Sequence, residues 1–231
     1  MTQLTTPYMS TAATTTSASS ARITRKLLGC GVAAGPLFLG VATLQILTRE
    51  GFDLRRHAIS VLSLGDYGWI QIANFILSGL LTVAFAVGLW RTLHPGRAGT
   101  WGPLLIAANG IGLIMGGLFV TDAGAGFPPG APQAIPDLLS WHAIVHSVAF
   151  FLAVLSIVAA SFVFLRRFVG LRQWRWAAYC AVTGVGMPAF VIAGMSYLSL
   201  VGVLFFVMAV LMCAWVTAMA ARLMSETRRR S

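Results

Sequence analysis

Charge is scarce in this chain. Asp and Glu together number six in 231 residues, and charged residues make up only 10%. A soluble domain carries roughly 25%. With 58% hydrophobic residues, that deficit excludes an ordinary soluble globular domain and points to an integral membrane protein. Cysteine is also sparse. Cys30, Cys180 and Cys213 each lie inside an apolar run, and no CxxC pair or Cys/His zinc-finger spacing occurs. They read as small helix-packing residues. A basic stripe interleaved with exposed aromatics is missing as well. The net charge of +10 sits in clusters between apolar runs, as cytoplasmic anchors facing anionic lipid do. Nucleic acid is therefore not an expected partner; membrane lipid is.

What is present is a succession of long apolar runs. Residues 1–26 open the chain with Thr, Ser and Ala and no apolar period, and are expected to form a disordered cytoplasmic tail. The run from Leu27 to Leu47 has twenty-one residues. A signal-peptide core has about 7–15, whereas about 20 residues cross a bilayer, so this is expected to be an uncleaved first span, with Pro36 a candidate kink. Further spans are expected over 69–90, 101–121, 141–165, 176–194 and 199–221. The last two come from one apolar stretch of forty-six residues, Trp176–Ala221, about twice the length of a single span. The patch Ala58–Leu64 is too short to cross and fits an interfacial turn. Four prolines between Asp122 and Leu139 forbid a regular helix there. Residues 223–231 form a basic cytoplasmic tail.

The reading is an all-α, polytopic, six-transmembrane-helix bundle. The two tails and the second and fourth loops hold thirteen Lys and Arg, against three in the remaining loops. The positive-inside rule then places both termini in the cytoplasm, in a cell membrane that is expected to be a bacterial plasma membrane.

This topology sends a set of polar residues to the extracytoplasmic leaflet. His142 and His146 share one helix face at i and i+4, with His146 about 6 Å deeper at ~1.5 Å per residue. His57 and Ser60 occupy the first loop, and Asp122 ends the third span. Ionisable groups within membrane segments are costly and default to a functional hypothesis. Imidazoles are zinc ligands, so His142, His146 and His57 are the candidate metal set and zinc the candidate cofactor. Asp122 is the candidate general base or orienting partner, and Ser60 the candidate oxyanion or ligand contact. Zinc-bound water would suit hydrolysis of a lipid or lipid-linked substrate. Against this stands a plain structural reading, in which the same side chains make hydrogen bonds at helix ends. Asn74, Asn109 and Gln45 are expected to make helix–helix hydrogen bonds, and His94 to be a surface residue.

The series His57-Ala-Ile-Ser60-Val-Leu-Ser-Leu-Gly65, Asn74-Phe-Ile-Leu-Ser-Gly79, Phe119-Val-Thr-Asp122 and His142-Ala-Ile-Val-His146 resembles the domain of unknown function 998 family. The resemblance covers about Leu27 to Arg222 and implies a small multi-pass membrane protein, with no chemistry attached. The Ser, Asp and three-His set is also similar to that of the alkaline ceramidase and progestin/adipoQ receptor superfamily, as an analogy of ligands. Two readings compete with the hydrolase: a non-enzymatic sensing, structural or partner-binding membrane protein, and below it a small-solute transporter.

Overall fold

The computed structural model describes residues 10–134 and 136–230, with side chains described over 19–134 and 136–227. Six helices form it: α1 (Ser10–Thr48), α2 (Gly68–Leu93), α3 (Arg97–Leu118), α4 (Trp141–Gly170), α5 (Trp174–Ser196) and α6 (Val201–Arg230). All six contain a stretch long and apolar enough to cross a membrane. Short 3-10 turns at Ile59–Ser63 and Leu198–Leu200 precede α2 and α6. The first occupies the apolar patch expected to be an interfacial turn.

Two boundaries differ from the sequence reading. α1 starts at Ser10, so Ser10–Lys26, expected to be disordered, is helical; the rest of that tail lies outside the described residues. Extending an established helix costs far less than nucleating one, and Leu27–Leu47 supplies the established part. α3 ends at Leu118, three residues short of the expected Thr121, for a reason given by His146 below.

Each helix packs against the next in sequence, and α1 packs against α6, closing a ring. An even number of spans puts both termini at one end. Connections α1–α2, α3–α4 and α5–α6 lie at the other, here called the loop end. The terminus half of the ring is filled: Leu28, Phe85, Leu89, Ile106, Phe164 and Trp215 are buried, with Phe164 edge-on to Trp215 at 5.7 Å between ring centres. Outward, Leu44, Leu80, Leu104, Ile111, Leu155, Val182 and Ile192 are exposed. No monomeric soluble protein spreads apolar surface so evenly around its girth. Exposed Trp69, Trp90, Trp101, Trp141 and Trp174 sit at helix ends, where amphipathic rings meet a membrane–water interface.

Lipid tails give helices no hydrophobic reason to associate, so close packing and interhelical hydrogen bonds carry the bundle. At the α2–α3 seam a side chain on Gly79 would collide with the Gly110 carbonyl oxygen, and one on Gly110 with that of Gly79. Gly112 lies as close to the Ala149 carbonyl of α4. Amides act as expected: Asn74 donates to the Phe38 carbonyl at 3.0 Å, Asn109 to that of Ala153 at 2.9 Å, and Gln45 to Gln71 Oε1 at 2.7 Å. Replacing Gly110 with Val should lower stability by about 1–3 kcal/mol through overpacking, whereas Gly116→Ala, whose added carbon would meet nothing nearer than 3.8 Å, should leave the melting midpoint in detergent unchanged or slightly raised. Equal midpoints for the two variants would refute the seam.

Candidate functional site

At the loop end two irregular segments, residues 49–67 and 119–140, fold over the ring and meet α6. Their backbone is not helical, so its polar groups need partners from elsewhere. The ionisable residues singled out in the sequence supply several of them.

His57 is 2% exposed. Its Nδ1 accepts from the Asp53 backbone N–H at 2.9 Å, and its Nε2–H donates to the Ala125 carbonyl at 2.9 Å. The first bond assigns the tautomer, because a backbone N–H can only donate. Phe52 and Phe127 flank the ring at 5.4 and 5.5 Å between centres. His57 thus ties the first loop to the third, with both nitrogens engaged. Arg49 does similar work, donating to the carbonyls of Leu62 at 3.1 Å and Leu64 at 2.6 Å while lying over Phe127. The Gly202 N–H of α6 donates to the Arg55 carbonyl at 3.2 Å, an approach that leaves no room for a side chain at Gly202.

Asp122 faces the start of α4. Its carboxylate accepts from the Ser140 N–H at 2.7 Å and the Ser140 hydroxyl at 2.6 Å, and Ser140 Oγ in turn accepts from the Ala143 N–H at 3.2 Å. Ser140 is the N-cap of α4, and Asp122 adds a negative charge at the positive end of the helix dipole. The two Ser140 hydrogen bonds, with a smaller contribution from nearby His142, hold the Asp122 pKa below the ordinary carboxylate value.

His146 is buried, at 8% exposure. Its Nδ1 lies 2.8 Å from the Phe119 carbonyl and 3.1 Å from that of Gly116. Both partners are acceptors, so Nδ1 carries the proton. The ring satisfies carbonyls left open at the C-terminus of α3, which accounts for the early end of that helix. Nε2 has no hydrogen-bond partner among the described residues and is left as an acceptor. His142, one turn nearer the loops, is exposed and packs on Trp141 at 3.6 Å between ring centres. His94 is exposed and stacks on Trp90 at 4.3 Å, the surface role expected of it.

His146 opens onto a cavity of about 410 Å³. Ser60, Thr121, His146 and Ser147 provide its polar lining; Phe38, Phe75, Phe150, Phe205, Met208 and Met212 provide much of the rest. No charged side chain lines it. Phe151, Met195 and Leu198 line it and are also exposed, which puts its mouth on the side of the bundle, between α4 and the α5–α6 turn.

The structure therefore divides the residues picked from sequence. Ser60 and His146 share the cavity. Asp122 is engaged with Ser140, His57 is closed within the cap, and His142 faces outward. Among the described residues no group of three or more His, Cys, Asp or Glu is placed to hold one metal ion, so the set His57, His142 and His146 expected to take zinc is not gathered. The buried His57 donates to a carbonyl 68 residues away in sequence, which no local pattern announces. Thr121 and Ser147 were missed, because one hydroxyl near a span end resembles any other. Arg49 was read only as a loop charge.

A closed ring of six apolar helices with a capped, laterally open cavity defines a polytopic membrane protein. The chain matches, over residues 32–222, the family described as protein of unknown function DUF998, and it belongs to that family. No curated protein and no solved structure matches it.

Two outcomes are expected from the cap. His57→Ala strands a buried N–H and a carbonyl and should cost about 1–3 kcal/mol, while His142→Ala should stay within about 0.5 kcal/mol; thermal melts in detergent compare them. Asp122 has a folded pKa below its unfolded one, so its contribution is complete above the ordinary carboxylate range and is lost as pH falls through the lowered value. The melting difference between wild type and Asp122→Ala should therefore be full at pH 7 and shrink progressively below about pH 4. A pH-independent difference would show that ionisation of Asp122 plays no part in holding the cap.

Proposed function

We propose that this protein binds an uncharged, hydrogen-bonding amphiphile, a lipid or lipid-linked molecule, from the extracytoplasmic leaflet. The cavity carries this reading: about 410 Å³ of largely apolar space, within the range of small-molecule sites at ~300–1,000 Å³. It has one cluster of neutral polar groups and a mouth that opens sideways toward lipid. An apolar chain would lie between Phe150, Phe205 and Met208, replacing contacts that an empty cavity forfeits. The free His146 Nε2 accepts a hydrogen bond, so the head of the ligand should offer an O–H or N–H. Ser60, Thr121 and Ser147 can accept or complete that contact. A charged head would enter without a counter-ion, at a cost of several kcal/mol.

Sidedness rests on the distribution of Lys and Arg, thirteen on the terminus end and three on the loop end, which favours cytoplasmic termini and a loop end facing outward. Binding without turnover is preferred over lipid hydrolysis. Hydrolysis by the expected zinc route needs ligands that converge, and hydrolysis by a serine nucleophile needs Ser60 and His146 in hydrogen bond. Among the described residues neither arrangement occurs.

Native mass spectrometry of the full chain in detergent with a monoacylglycerol tests the reading. Wild type should retain one molecule. Gly116→Leu, which projects into the cavity beside His146, should reduce retention at least tenfold, and Ser60→Ala about two- to tenfold, the worth of one neutral hydrogen bond of ~0.5–1.5 kcal/mol. Retention by Gly116→Leu equal to wild type, or none by wild type, would overturn the proposal; release of glycerol and fatty acid would return the hydrolase reading to first place.

A further inference from the structure

A second concavity, of about 760 Å³, lies at the opposite end of the bundle, between the start of α5 and the end of α6. Its lining includes Arg172, Arg175, Arg222, Trp174, Trp176 and Tyr179. The three arginines come from three places in the chain: the α4–α5 turn, the first turn of α5 and the late part of α6. Folding gathers them around one hollow. Arg222 is fixed there. Its Nε stands 3.0 Å from Glu226 Oε1, its Nη2 donates to Gln173 Oε1 at 3.2 Å, and its guanidinium lies over the Trp176 ring at 5.6 Å. Arg172 and Arg175 are exposed and have no ion-pair partner among the described residues. Glu226, one turn from Arg222 on α6, is already occupied by it.

The backbone at Arg172 adds a second, independent observation. Gln173 N–H donates to the Phe168 carbonyl at 2.9 Å and Arg172 N–H to that of Val169 at 3.0 Å. These are the two bonds of the Schellman motif that ends α4, and its C′ position calls for a left-handed residue, usually Gly. Arg172 stands there with φ +55°. A β-carbon is disfavoured in that region, so the turn would be better served by glycine. Backbone strain of this kind points to a role for the side chain.

We propose that this hollow binds the phosphate of an anionic phospholipid headgroup, with Arg172 and Arg175 as its cationic ligands and Arg222 as a fixed wall. A guanidinium matches phosphate with two parallel hydrogen bonds. Trp174, Trp176 and Tyr179 belong to the chemistry of the membrane interface, and basic hollows between spans at that level suit acidic headgroups. A lipid is favoured over a soluble phosphate because the hollow borders apolar Ala218 and the Tyr179 ring, surfaces for the glycerol and upper acyl carbons. The site is independent of the cavity at the loop end.

The test is native mass spectrometry of the full-length protein in detergent, with phosphatidylglycerol and phosphatidylcholine offered together. Wild type should retain phosphatidylglycerol at least fivefold over phosphatidylcholine, and the preference should fall as salt rises. Arg172→Gly combined with Arg175→Gln should abolish the preference. Arg172→Gly alone should melt no lower than wild type, since glycine suits the turn, and should still lose part of the preference; this separates lost binding from lost folding. Equal retention of both lipids by wild type, or an undiminished preference in the double variant, overturns the proposal. Competition by millimolar inorganic phosphate that displaces the lipid fully overturns the headgroup assignment in favour of a soluble phosphate.

Discussion

Backbone polar groups near a hydrocarbon layer must find partners within the protein, and that constraint organises this molecule. The six helices meet it internally. The loop end cannot, because its two long connections are irregular and one is rich in proline. Side chains therefore complete the hydrogen bonding there: His57 joins Asp53 to Ala125, Arg49 holds the Leu62 and Leu64 carbonyls, Asp122 caps α4 through Ser140, and His146 caps α3. Residues that look catalytic by type are the strongest donors and acceptors available to an irregular cap.

The same constraint shapes the cavity. Once His146 has committed Nδ1 to the end of α3, its remaining nitrogen is a neutral acceptor facing apolar space. The terminus half of the ring is filled by Trp215, Phe164, Phe85 and Leu89, whereas the loop half leaves an opening under the cap. Rigid packing below and hydrogen-bonded roofing above would keep that space open to lipid from the side.

Much of the architecture was legible because membrane spans are written locally. Apolar runs near twenty residues long, bounded by tryptophan or arginine, locate helices without knowledge of their neighbours. The amide pairings of Asn74 and Asn109 followed from depth alone. The candidate site was legible only in part. His146 and Ser60 were picked out and do share the cavity. The grouping of His57, Asp122 and His142 with them was inferred from a common leaflet, and a leaflet is far wider than the reach of a metal ion. The helical start of α1 was missed because a Thr- and Ser-rich stretch carries no apolar period, yet can continue a helix that begins elsewhere.

The sequence by itself determined the class, the number of spans and the end of the bundle at which polar residues collect, since each depends on hydropathy summed over a local window. Only the tertiary structure decided which nitrogen of each histidine is free. It also decided that Asp122 serves a helix end 18 residues away in sequence, and that Arg172, Arg175 and Arg222 share one hollow. Those outcomes depend on the direction of single side chains and on contacts between distant segments. Hydrogen bonds act over about 3 Å, and no local pattern specifies position that finely.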